Sequence, residues 1–136
     1  MAGSRLSGLT APSLSDIEEL AQEAYARLPE AFRALTGGIV IGVEDFPADD
    51  VLAEMKAGPF DLLGLFQGIG LAQDQAVPET GRMPNMVFLY RRAILDYWAE
   101  HDETLASVVT HVLIHEIGHH FGLSDADMDA IERAAE

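Results

Sequence analysis

The chain contains no cysteine. That excludes disulfides, thiol nucleophiles, thiolate metal ligands and iron–sulfur clusters. It suits a reducing cytoplasm, where the protein is expected to reside. Positive charge is nearly as scarce. Eight Lys and Arg face 23 Asp and Glu, for a net charge of −15, and Lys56 is the sole lysine. A surface this acidic repels phosphate backbones and anionic bilayers, so neither nucleic acid nor membrane is expected as a partner. It also favours a monomer. No apolar run approaches the ~18 residues of a membrane span. Residues 1–13 carry one Arg and no apolar core of the kind a secretory signal needs, and they read as a disordered tail.

What is present suffices for one domain with one core: 136 residues, 49% of them apolar, with no internal repeat. Ser15 and Glu18 have capping-box spacing. Ile17, Leu20, Ala21, Ala24 and Leu28 follow a helical period, so the first helix is expected to start at Ser15, restart at Pro29 and end at Gly37-Gly38. Residues 39–43, 62–66 and 86–90 read as strands, with 69–71 continuing the second. Residues 49–57 read as a short helix, 72–85 as a long loop, and 93–100 as a helical turn or two with Trp98 toward the core. Asp102 is expected to cap a long helix reaching about Phe121. That helix is apolar almost all round and therefore central. Ser124 or Asp125 then caps a last helix over 126–135. The fold class is α+β: a small mixed sheet packed with an N-terminal helix and a buried central helix, over residues 14–136.

The central helix ends in His115-Glu116-Ile117-Gly118-His119-His120-Phe121-Gly122-Leu123-Ser124-Asp125. By composition, an H-E-x-x-H pentapeptide arises by chance about 0.02 times in such a chain, so coincidence is a poor explanation. Residues four apart lie one turn apart on one helix face, so His115 and His119 can bind one ion through their imidazoles. Glu116 then lies beside the ion rather than on it, where it can take a proton from an activated water. A helix cannot bring a third ligand round to the same ion. Gly122 supplies the turn, and Asp125 can swing back as an oxygen ligand. Three protein ligands leave a position open, which is the catalytic pattern.

This string, H-E-x-x-H-x-x-G-x-x-D, resembles the metzincin form of the zincin metallopeptidases, with Asp where most have a third His. Together with Leu-Tyr-Arg at 89–91, it is similar to short bacterial zincin-like domains, described as matrix-metallopeptidase-like. The resemblance covers most of residues 14–136. It implies Zn²⁺ as cofactor, a minimal zincin-like fold and Tyr90 on or near the edge strand along which substrates align. Only eleven residues follow Asp125, too few for the lower subdomain with a Met-turn, so the cleft is expected to be shallow or open and Met128 to pack in the core.

The resulting reading is a zinc metallopeptidase acting on a peptide or protein, with His115, His119 and Asp125 as metal ligands and Glu116 as general base. Two alternatives are a non-catalytic metal-stabilised binding module and a metal-dependent ribonuclease, the latter opposed by the charge. Iron oxygenases share the ligand set but not the H-E-x-x-H helix. His111 and His119 lie about 12 Å apart along a helix and cannot share an ion, so His111 is expected to support the site through hydrogen bonds. His120 points elsewhere, and His101 lies exposed ahead of the helix. Glu132, thirteen residues after His119, is set aside as third ligand. Tyr90, Tyr97 and Arg91 are expected to serve packing or surface pairing rather than carbonyl polarisation.

Overall fold

The computed structural model describes residues 5–68 and 85–135. The expected loop at 72–85, Asn85 apart, and the strand continuation at 69–71 lie outside the described residues. Among these, six helices surround a three-stranded sheet: α1 (Leu14–Arg27), α2 (Glu30–Ala34), β1 (Val40–Glu44), α3 (Asp49–Met55), β2 (Gly64–Gln67), β3 (Met86–Tyr90), α4 (Arg91–Glu100), α5 (Leu105–His120) and α6 (Asp125–Ala134).

Helix α1 starts at a cap two residues earlier than the sequence suggested. Ser13 Oγ accepts from the Asp16 amide at 3.1 Å, and Asp16 Oδ2 accepts from the Ser13 amide at 2.8 Å. Both Ser13 and Ser15 have an acidic residue three positions on. The earlier pair closes the box, and α1 gains half a turn. Ile17, Ala21, Ala24 and Leu28 form its buried stripe, and its small residues let α1 pack against α5.

The sheet is mixed, in the order β1-β3-β2, with β1 parallel and β2 antiparallel to the central β3. Val87 and Leu89 of β3 are fully buried, as befits a central strand covered by helices. Tyr90 is therefore on the central strand, directly beside the edge strand β2. Helix α4 is longer than the turn or two expected, because it springs directly from β3 with Tyr90 as its N-cap. Arg91 fastens this junction. Its guanidinium pairs with Asp45 Oδ1 at 2.9 Å and donates from Nε to the Pro12 carbonyl at 2.6 Å. Trp98 packs partly buried against the core, as expected.

Helix α5 is capped by Thr104, which accepts from the Ser107 amide at 3.1 Å, and not by Asp102. A threonine hydroxyl is an adequate cap, and residues 101–103 serve instead to turn the chain out of α4. Val109, Leu113, Ile114 and Ile117 are fully buried, and the sheet, α1, α4 and α6 all pack on α5. This is the central helix the sequence indicated. Met128 of α6 is fully buried against it, and a Cβ on Gly118 would meet the Met128 sulfur and lie 2.8 Å from its Cγ. The glycine inside the H-E-I-G-H string is thus a docking notch for α6, and Met128 packs in the core as expected.

Candidate metal centre

Three histidines, His111, His115 and His119, lie one turn apart along α5. The His111 and His115 rings stack with centroids 3.9 Å apart, and those of His115 and His119 meet edge-on at 5.6 Å. The His115 Nε2 atom is buried and has no hydrogen-bond partner among the described residues. Burial, followed by repulsion from His111, lowers the pKa of His115. Its imidazole is therefore held neutral, the form that binds a cation.

The third donor arrives by a tight reversal. Gly122 has φ 75°, a conformation that costs residues with a Cβ. Its amide donates to the His119 carbonyl at 3.1 Å, and the Leu123 amide reaches back to the Gly118 carbonyl at 2.9 Å. These paired bonds end α5 with a left-handed cap. Ser124 then caps α6 through a box with Asp127, its Oγ accepting from the Asp127 amide at 3.1 Å. The cap is thus Ser124, and Asp125 becomes the first residue of α6 with its carboxylate outside the capping box. One ligand atom each of His115, His119 and Asp125 lies within 4.8 Å of the others. Two imidazoles and a carboxylate converging around an unsatisfied buried nitrogen suit a transition-metal dication, zinc in particular.

Glu116 faces β2. A Cβ on Gly64 would lie 3.2 Å from Glu116 Cγ and 2.8 Å from Val112 Cγ1, so β2 approaches α5 as closely as a glycine permits. The close packing strips water from the carboxyl, and this burial pushes the Glu116 pKa up to about 7. His111, His115, Glu116 and His119 line one side of an open cleft of about 380 Å³, with Leu63 and Gly64 opposite. Among the described residues, β2 pairs only with β3, and its first residue, Gly64, lines this cleft.

The remaining candidates separate clearly. Arg91 is the fastener of the β3–α4 junction. Tyr90 is buried and does not line the cleft. Its phenol is held neutral, the pKa raised by burial and then by the charges of Glu44 and Glu116. Tyr97 does line the cleft, with its hydroxyl 3.4 Å from Glu103 Oε2. His101 is exposed and stacks on Tyr97 at 3.8 Å. His120 points away from the three donors, against Phe66 at 4.1 Å. His111 does form a hydrogen bond, through Nδ1 to Glu132 Oε1 at 2.9 Å. Glu132 lies thirteen residues after His119, and on that distance alone it stands apart from the donors. The structure brings it beside His111 and His115 instead, because α6 runs back along α5. Only its place seven residues after Asp125, two helical turns further on the same face, could have signalled this.

The profile of one protein family, described as zincin-like metallopeptidase, matches residues 36–135. No curated protein matches the chain.

Proposed function

The chain belongs to the zincin-like metallopeptidases, and from that premise we propose that it is a zinc-dependent peptidase in which Glu116 is the general base. The observation that supports this best is the juxtaposition of two features at one cleft. A three-donor set of His115, His119 and Asp125 adjoins a carboxyl whose pKa is pushed up to about 7. His115, His119 and Asp125 would hold the ion. Bound there, zinc supplies a Lewis acid that polarises a carbonyl and acidifies water.

The chain's own groups do the rest. A carboxyl with a pKa near the working pH can both accept a proton from the attacking water and return it to the departing amine. Gly64 and Val112 shield that carboxyl from bulk water on one side. Among the described residues the outer edge of β2 is unpaired, and at Gly64, where it meets the cleft, it can align an extended peptide by main-chain hydrogen bonds. This favours a peptide over a compact small molecule. Nothing comparable favours RNA: the net charge is −15, and the cleft wall carries Glu116 and Asp61.

The test is Glu116→Gln, compared with wild type for zinc content and for cleavage of a mixed peptide library read by mass spectrometry. The substituted protein is expected to hold zinc as wild type does and to lose cleavage by about 100-fold or more. Cleavage at the wild-type rate by Glu116→Gln would overturn the assignment.

A further inference from the structure

We propose that His111, His115 and Glu132 form an alternative divalent-cation site, one helical turn along α5 from the first, whose occupation excludes the first because both draw on His115. The geometry arises from two antiparallel helices. On α5 the imidazoles recur every four residues. On α6 two carboxylates, Asp125 and Glu132, recur at seven residues and so lie on one face. Asp125 meets the C-terminal pair of imidazoles, and Glu132 meets the N-terminal pair. One ligand atom from each of His111, His115 and Glu132 lies within 4.8 Å of the others, as holds for the first set.

The separations suit an ion. Donors at about 2.0–2.1 Å from a tetrahedral zinc are roughly 3.3 Å apart. His111 Nδ1 lies 2.9 Å and 3.1 Å from the two Glu132 oxygens, and His115 Nε2 lies 3.9 Å from Glu132 Oε2. These values bracket the required spacing for both imidazole–carboxylate pairs, and the His111 and His115 donors lie within 4.8 Å of each other. The three side chains are 44%, 21% and 22% exposed, which leaves a path for a cation without opening the fold. His115 Nε2 has no hydrogen-bond partner among the described residues to give up, and His111 Nδ1 exchanges its bond to Glu132 for one to the ion. Two imidazoles and one carboxylate select Zn²⁺, Co²⁺ or Ni²⁺ over Mg²⁺ or Ca²⁺. The site gives the chain a reserve position for an ion at the wall of the same cleft.

Because His115 serves both sets, the experiment removes the first set and keeps the second. The background is His119→Ala with Asp125→Asn, or Asp125→Asn alone should the double substitution disturb the helical circular dichroism. Co²⁺ is titrated and followed by its visible absorption and by calorimetry. The background chain is expected to bind one Co²⁺, and adding Glu132→Gln or His111→Asn is expected to weaken it tenfold or more. A background that binds no Co²⁺, or an affinity unmoved by both added substitutions, would overturn the proposal. Failure of the first site reads differently: wild type and background would then bind Co²⁺ equally.

Discussion

Gly64 of β2 and Glu116 of α5 face each other so closely that a single added methyl group would stand 3.2 Å from the Glu116 side chain. The same methyl would lie 2.8 Å from Val112 Cγ1 and 3.0 Å from the Phe88 carbonyl oxygen. The strand that walls the cleft and the carboxyl proposed to move protons are therefore set against each other by one missing side chain.

Gly64→Ala should consequently strain the contact between β2 and α5. Neither Val112 nor the Phe88 backbone can yield without moving an element. The expected cost is about 1–3 kcal/mol of stability, measured by urea unfolding. Peptide cleavage should fall more than zinc uptake, because the strained wall adjoins Glu116 rather than the ligands.

Gly122→Ala tests a different cause. Nothing lies within 4 Å of a Cβ at this position, but φ is 75°. The effect is purely backbone strain, about 1–2 kcal/mol. The strained turn delivers Asp125, so zinc affinity should drop alongside stability, with His115 and His119 untouched. An alanine chain of unchanged affinity and stability would show that the turn tolerates a side chain.

The raised pKa of Glu116 makes the metal-free protein sensitive to pH. An unfolded glutamate titrates near 4.5 and the folded one at about 7. Between these values the folded chain holds a proton that the unfolded chain has released. Its contribution to stability therefore falls as pH rises through that window and stays low above it. The full shift corresponds to about 3 kcal/mol, and the cleft is open enough to water to reduce this to roughly 1–2. In chelator-treated protein at pH 8, Glu116→Gln should be the more stable by that amount. The two proteins should converge near pH 4, as read by thermal unfolding.

Zinc added to chelated wild-type protein should raise its melting temperature with the logarithm of free zinc. At a hundred times the dissociation constant, binding adds about 2.7 kcal/mol of stability. Asp125→Asn should need more zinc for the same rise. Identical curves for the two proteins would remove Asp125 from the ligand set.

Much of this architecture was legible in local sequence, for local reasons. The spacing of His115 and His119, the turn at Gly122 and the cap before α6 depend on residues within a few positions of one another. Helix starts were less legible where two capping residues compete. Ser13 and Ser15 both qualify for α1, as do Asp102 and Thr104 for α5, and the outcome depends on how the preceding chain packs. The order of the strands was not legible, because pairing of β3 between β1 and β2 is settled by contacts over tens of residues. Glu132 was missed as a neighbour of His111 because the return path of α6 along α5 is a tertiary fact.

The reversal at residues 121–124 has one further consequence. His115, His119 and Asp125 all belong to a single helical hairpin of adjacent segments, so closing the donor set costs little chain entropy. The environment of Glu116, by contrast, is completed by a strand some fifty residues upstream. The proposed ion capture and proton transfer would therefore be separable heritable traits. Drift in the sheet would then alter the surroundings of Glu116 while leaving the hairpin that carries His115, His119 and Asp125 intact.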